Sequence, residues 1–153
     1  MLNTFEYPID LRYIKQINSE VGKGIIFREG LLRETDVRIG KTNWKPDIPD
    51  EETIKRFIKN VANNKEFSAT DRAIRTMLYI IRTQMFYDGN KRTARLLVNR
   101  IIIENGAEVL SIHVEDQDIF LKLVRFYEID NEKNIASFVY ERCIEEIIYK
   151  NPE

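Results

Sequence analysis

Apolar residues recur at three- and four-residue spacing in successive segments of this chain from residue 50 onward. Such spacing places them on one face of an α-helix, whereas a half-buried strand would alternate apolar and polar residues. The pattern therefore predicts a bundle of amphipathic helices. The apolar positions, segment by segment, are Ile54, Phe57, Ile58 and Val61; Ile74, Leu78 and Ile81; Leu97 and Ile101; Ile119, Phe120, Leu123, Val124 and Tyr127; and Ile135, Val139, Cys143 and Ile147.

Capping residues give the predicted helix boundaries. Asp50 is a good N-cap for the first of these helices, and Asn63-Asn64 ends it. Thr70 or Asp71 could cap the next helix.

The third of these helices is predicted from about residue 91 to residue 105. Leu96 and Ile103 add apolar surface on further sides, as expected for a central, largely buried helix. Gly106 stops it, because glycine readily adopts the left-handed conformation that follows a helix end.

The first fifty residues are less regular. Residues 10–16 predict a short helix, and the glycines up to Gly30 indicate turns. Residues 31–33 and 37–39, followed by turn-forming residues up to Pro49, predict a hairpin or extended flap. We expect this flap segment (residues 31–49) to contain the only β structure of the chain.

Composition excludes several classes of function. The 153 residues contain no linker or repeat, so a single domain over residues 1–153 is expected. The 24 basic and 25 acidic side chains nearly cancel, which disfavours nucleic-acid or anionic-membrane partners. One cysteine and one histidine make neither an intramolecular disulfide nor a zinc site. Without a signal peptide or membrane-spanning run, we expect a cytoplasmic protein.

Residues 84–95, read QMFYDGNKRTAR, carry the clearest chemical signal. Gly89 lets successive N–H groups turn inward as an anion nest at a helix start, where the helix dipole attracts phosphate. Asp88 is placed to bring Mg²⁺ to such phosphates. Side-chain donors around the same point are Asn90, Lys91, Arg92 and Arg95. These features predict a nucleotide polyphosphate site, but the same turn is also an ordinary helix start with solvent-facing basic residues.

The same segment resembles the signature of Fic proteins, H-x-F-x-[D/E]-G-N-[G/K]-R-x-x-R. Residues 30–46 look like the family's flap region, and residues 96–99 and 104–106 look like its central helix and the end of that helix. The resemblance implies an all-α fold, a Fic-type helical bundle with a small β-hairpin flap. The matching motif residues are Phe86, Asp88, Gly89, Asn90, Arg92 and Arg95.

Fic proteins typically transfer AMP from ATP to a hydroxyl side chain of a target protein. The resemblance thus implies ATP and Mg²⁺ as ligands, with Asp88 holding the metal. Gly89 and Asn90 would contribute to an anion hole, while Arg92 and Arg95 would grip phosphates.

The resemblance also implies protein partners, either a target or an antitoxin-like protein. The flap residues that would hold a target segment, by strand-like backbone pairing, are Val37, Arg38, Ile39 and Gly40.

The first motif position departs from the family pattern. There the family has a histidine that takes the proton from the attacking hydroxyl, and this chain has Gln84. A neutral amide can orient a hydroxyl but cannot accept its proton, and losing a general base costs about 10²–10⁴ in rate. His113, the only histidine, is interpreted as a structural or surface residue. The candidate catalytic positions are Gln84, where the histidine is missing, Asp88, Asn90 and Arg92.

Lys91 is the second departure, because glycine is commonest at this place. The Doc toxin branch of the family also has lysine, binds its nucleotide in reverse and transfers the γ-phosphate. A lysine projecting into the nest would occupy the space of an α-phosphate, whereas a lysine facing solvent would have no such effect.

Three interpretations follow. The leading one is a Fic-fold protein that keeps its nucleotide- and phosphate-binding loop but is a weak or inactive adenylyltransferase, that is, a pseudoenzyme or regulatory module. The alternative is an active Doc-like transferase moving phosphate or AMP onto a protein hydroxyl. The third is a purely structural helical protein.

Overall fold

The computed structural model describes residues 8–39, 43–104, 106, 108–125 and 132–146, and within them helices dominate. No described helix has the length and apolar character needed to cross a bilayer. The prediction of an all-α fold with a small β element is confirmed. The elements in chain order are α1 (Leu11–Gly22), α2 (Glu51–Phe57) with a following π-helical turn (Ile58–Ala62), α3 (Ala69–Thr83), α4 (Asn90–Ile103), β1 (Glu108–Leu110), α5 (Val114–Arg125), α6 (Glu132–Arg142) and β2 (Ile144–Glu146).

Helix α4 lies at the centre of the fold. It packs along α3 and also contacts α1 and β1. Leu97, Val98 and Ile101 are fully buried in the same apolar core as Met77 and Leu78 of α3. The central position was predicted, but Leu96 and Ile103 are 54% and 37% exposed, so the apolar surface of α4 is narrower than expected.

The ends of the helices follow from side-chain caps. Asp50 accepts a hydrogen bond from the backbone N–H of Thr53, at 2.8 Å, and so caps α2 as predicted. For α3 the predicted caps Thr70 and Asp71 are wrong. The cap is Ser68, whose hydroxyl oxygen accepts from the backbone N–H of Asp71 at 3.1 Å.

The other two residues of that turn bind elsewhere. The Thr70 hydroxyl donates to a carboxylate oxygen of Glu108 at 2.8 Å, and the Asp71 carboxylate pairs with Arg75 at 3.0 Å. Glu108 lies outside α3, and Arg75 lies one turn further along it. Neither Thr70 nor Asp71 is therefore directed at the free N–H groups of the helix start.

The two described strands form an antiparallel sheet outside the flap segment. Leu110 pairs with Ile144 and Glu108 with Glu146, so the chain after α4 meets the chain after α6. The expectation that the flap contains the only β structure is therefore wrong. In the flap itself the structure shows an isolated bridge between Leu32 and Phe86, because this segment pairs with the loop before α4.

Replacing the cap of α3 tests this helix start. We expect Ser68→Ala to lower the free energy of unfolding by about 1 kcal/mol, because the Asp71 N–H loses its acceptor. The matched control is Ser137→Ala, at an exposed position within α6, where alanine has the higher helix propensity. Urea unfolding followed by circular dichroism measures both, and equal stabilities for the two variants would contradict the assignment of Ser68.

Candidate nucleotide-binding site

Gln84 ends α3 and turns the chain into the loop that leads to α4. Its backbone is in the left-handed region, with φ 45°, and its N–H donates to the carbonyl of Ile80 at 3.1 Å. The side-chain amide nitrogen donates to the carbonyl of Ile81 at 2.6 Å. Gln84 therefore satisfies carbonyl groups that the end of α3 would otherwise leave without partners.

The side chain of Asn90 closes this loop on itself. Its amide oxygen accepts from the backbone N–H of Phe86 at 3.0 Å, and its amide nitrogen donates to the carbonyl of Phe86 at 2.9 Å. The same nitrogen donates to the side-chain oxygen of Gln84 at 3.3 Å. Both amide hydrogens are thus used within the loop, and the contribution of Asn90 to an anion site is its backbone N–H.

Gly89 places that backbone at the start of α4. It has φ 77°, which glycine adopts at little cost, and its carbonyl accepts the first bond of the helix from the Thr93 N–H at 2.8 Å. By helix geometry, the N–H groups of Asn90, Lys91 and Arg92 precede that bond. Among the described residues no side chain caps α4, so this helix end presents donors and a positive dipole.

These groups surround one cavity of about 400 Å³. It combines the predicted nucleotide-binding residues with the position of the missing histidine. The flap residues Val37, Arg38 and Ile39 are not among its lining residues, and Gly40 lies outside the described residues. The lining residues are Gln84, Tyr87, Asp88, Gly89, Asn90, Lys91, Arg92 and Arg95.

The charged side chains of the cavity fit a magnesium-bound polyphosphate. Arg92 and Asp88 are only loosely paired, at 4.0 Å, with side chains 49% and 72% exposed. Arg95 is half-buried with its guanidinium 5.7 Å from the ring centre of Phe120, and its buried Nε has no hydrogen-bond partner in the described part of the chain. Buried donors of this kind are costly unless they bind an acceptor.

A metal ion in this cavity would need most of its ligands from the bound nucleotide and water. Asp88 supplies one carboxylate, of which one oxygen accepts from the Gly89 N–H at 2.5 Å. Within the described residues, no group of three or more metal-binding side chains exists. Because Mg²⁺ prefers six oxygen ligands and retains water readily, Asp88 fits a metal that takes its other ligands from phosphate and water.

Arg33, which the sequence reasoning did not single out, anchors the flap to this loop. It is 1% exposed, and its guanidinium donates to the carbonyl groups of Gln84, at 2.5 Å, and Thr83, at 3.1 Å. It also donates to carbonyl groups of the flap, at Thr35, Pro46 and Asp47. Burial lowers the pKa of Arg33 from its ordinary value, although an arginine stays protonated. The one hint of this buried role in the sequence is that Arg33 directly follows the apolar pair Leu31-Leu32.

Asn18 was also missed. It has no exposed surface and lies on the buried face of α1 with Leu11, Ile14 and Gly22. A polar residue at an apolar position of a helix is a signal that can be read from sequence, since a buried amide needs partners.

Two other reactive groups lie away from the cavity. His113 contacts the carboxylate of Glu145 in β2 and does not line the cavity. Cys143 is buried, and its burial raises the thiol pKa to about 11. In the described part of the chain, neither group is placed to act as the base that Gln84 cannot be.

Comparison with protein families decides the identity of the fold. The family model described as Fic/DOC family matches residues 8–102, which contain the flap segment, α3, the loop and nearly all of α4. The chain belongs to the Fic/DOC family. The recognition made from the motif is confirmed. A search of the curated proteins finds no match.

Solved Fic structures share the fold. A Fic-1 segment from C. elegans superposes with a TM-score of 0.66 at 22% identity, over 86% of this chain. A Fic domain containing signaling protein from Bacteroides thetaiotaomicron gives a TM-score of 0.67 at 19% identity, over 90% of this chain. The matches span 39% and 60% of those two chains.

A third Fic/DOC-like fold comes from a Bartonella effector. BepC from Bartonella tribocorum, solved with bound AMPPNP, gives a TM-score of 0.58 at 12% identity. The match covers 96% of this chain and 81% of that one. At such identities these similarities establish the fold.

Substituting Gly89 tests how tightly the loop is packed. A Cβ at this position would lie 2.8 Å from Cδ1 of Ile26 and 3.1 Å from the side-chain nitrogen of Asn18, in a left-handed backbone. We expect Gly89→Ala to lower the free energy of unfolding by about 1–3 kcal/mol from backbone strain and by about 1–3 kcal/mol more from overpacking.

Gly24→Ala is the matched control. Gly24 has φ 73°, but nothing lies within 4 Å of its Cβ position, so this variant incurs the backbone strain alone. Chemical unfolding of both variants gives the difference, and equal losses would show that the loop can move away from Ile26 and Asn18.

Proposed function

We propose that the cavity at the start of α4 binds the phosphates of a nucleotide such as ATP together with Mg²⁺. The observation that carries this proposal is that the residues starting α4 line one cavity together with Lys91, Arg92 and Arg95, three cationic side chains. Phosphate oxygens are the natural acceptors for such donors. The bound AMPPNP of BepC, a protein of the same fold, supports an ATP-like ligand.

We further propose that the chain is a weak or inactive protein adenylyltransferase. In that reaction a target hydroxyl oxygen bonds to the α-phosphorus, pyrophosphate leaves, and the hydroxyl proton needs an acceptor. The Gln84 oxygen accepts from Asn90, and its nitrogen donates to Ile81. This amide has no basic site near neutral pH, so a hydroxyl beside it would keep its proton.

An active Doc-like transferase is the second candidate, and one observation favours it. Lys91 lines the cavity with an exposed side chain, where it could bind a phosphate and change the position of the nucleotide. Transfer of the γ-phosphate would release ADP instead of pyrophosphate.

The wider context completes the proposal. A target or antitoxin-like protein would bind the flap by strand-like pairing, through main-chain hydrogen bonds. The flap residues that would make these bonds are Val37, Arg38, Ile39 and Gly40. A single domain and a cytoplasmic location remain predictions, as do the absence of nucleic-acid and membrane partners.

Nucleotide binding is tested by calorimetry. We expect Mg·ATP to bind the unmodified protein and Arg92→Ala to weaken the affinity about ten- to a hundredfold, because a charge-assisted hydrogen bond is lost. Arg12→Ala removes an exposed arginine of α1 and serves as the control with unchanged affinity. An unmodified protein that binds no nucleotide would favour a purely structural role and refute the proposal.

Transfer is tested with ATP labelled at the α- or the γ-phosphate. We expect little or no label on protein with the unmodified chain and a gain of about 10²–10⁴ in rate with Gln84→His. Label from the α-phosphate would indicate adenylyl transfer, and label from the γ-phosphate would indicate the Doc-like reaction. Equally fast labelling by the unmodified chain would show that Gln84 does not disable the site.

A further inference from the structure

We infer that Asn18 is a positioning residue that holds the phosphate-binding loop in its working shape. The inference rests on the proposed function for the identity of the ligand, but its structural basis is independent. Asn18 is fully buried on α1, far along the chain from the loop before α4. Its side chain nevertheless makes polar contacts on both sides of Gly89.

The amide nitrogen of Asn18 connects two points of the loop. It donates to the carbonyl of Asp88 at 2.9 Å and to the hydroxyl of Thr93 at 3.1 Å. Asp88 directly precedes Gly89, and Thr93 lies in the first turn of α4 and is fully buried. One side chain thus fastens both ends of a segment whose residues, Asp88 to Arg92, line the cavity.

The contact with Asp88 has a specific geometric consequence. The carbonyl of Asp88 and the N–H of Gly89 belong to the same planar peptide group, so holding the carbonyl also orients the N–H. That orientation goes together with the left-handed φ of 77° at Gly89. Without the bond, the Asp88–Gly89 peptide keeps only its local contacts, the Gly89 N–H with the Asp88 carboxylate and the Gly89 carbonyl with Thr93, and loses its tie to α1.

The amide oxygen of Asn18 contacts a different segment, at the start of the flap. It accepts from the N–H of Gly30 at 2.9 Å, immediately before the flap segment begins. Gly30 has φ 70°, and a Cβ there would lie 3.0 Å from the carbonyl oxygen of Lys15. Asn18 therefore places the start of the flap and the phosphate-binding loop against the same helix.

Preorganisation explains why this matters for binding. A loop that is held in its bound shape does not lose conformational freedom when the ligand arrives, and its affinity is correspondingly higher. The Asn18 amide does not line the cavity, so it acts through the loop and not by touching the nucleotide.

The test compares two asparagines that bind to backbone carbonyls. We expect Asn18→Leu, which keeps the approximate shape and removes the donors, to weaken Mg·ATP binding about tenfold. The control is Asn63→Leu, because Asn63 donates to the carbonyl of Ile9 at 2.6 Å and lies away from the loop. It should lose stability and keep its affinity within about twofold.

A milder variant covers the case in which Asn18→Leu does not fold. Thr93→Val removes one of the two acceptors at nearly constant volume, leaves the Asp88 bond in place and should weaken binding less. In the nuclear magnetic resonance spectrum of this variant, the backbone amide resonance of Gly89 should shift, while that of Gly24 should stay unchanged. The same readout applies to Asn18→Leu without any nucleotide.

The outcomes separate the two proposals. If Asn18→Leu, or Thr93→Val where the former does not fold, binds Mg·ATP as tightly as the unmodified protein, the inference is overturned. If the unmodified protein binds no Mg·ATP, the proposed function fails, and the Gly89 resonance alone decides on Asn18. An unmoved resonance in both variants would then refute the positioning role.

Discussion

The closed loop between α3 and α4 is the constraint on which the site depends. Asn90 holds it from inside by bonding to both the N–H and the carbonyl of Phe86, while the Phe86 ring is buried. With that loop closed, Gly89 turns the chain into α4, and the helix start meets the guanidinium groups at one cavity. The proposed anion site thus follows from how one helix ends and the next begins.

Two buried polar side chains fix this loop relative to the rest of the fold. Arg33 binds carbonyl groups at the end of α3 and in the flap, and Asn18 binds the loop from the side of α1. Apolar packing is non-directional and would tolerate small displacements. Hydrogen bonds to particular carbonyls are directional, so these residues determine where the backbone donors point.

The sequence was informative wherever the signal is local. The spacing of Ile74, Leu78 and Ile81 predicted the buried face of α3, and Gly89 predicted the turn at the start of α4, while the anion site stays a prediction. Tertiary partners decided the rest. Ser68 and Thr70 are both acceptable caps by residue type, and the structure directs the Thr70 hydroxyl to the distant Glu108 instead. The β1–β2 pairing joins segments that are distant in the chain, so no local pattern could indicate it. The roles predicted for Asp88, Arg92 and Arg95 stay predictions.

In the proposed function, Gln84 is the residue that separates nucleotide binding from group transfer. Its left-handed backbone is a conformation that histidine also adopts comparatively well, so either residue is compatible with the turn that ends α3. The glutamine amide additionally bonds to Ile81 and Asn90, which stabilises the closed loop. What glutamine lacks, compared with the histidine of the family motif, is an imidazole nitrogen that can accept a proton. A chain with Gln84 therefore keeps the closed loop of the proposed phosphate site and lacks the group that would take the proton of an attacking hydroxyl.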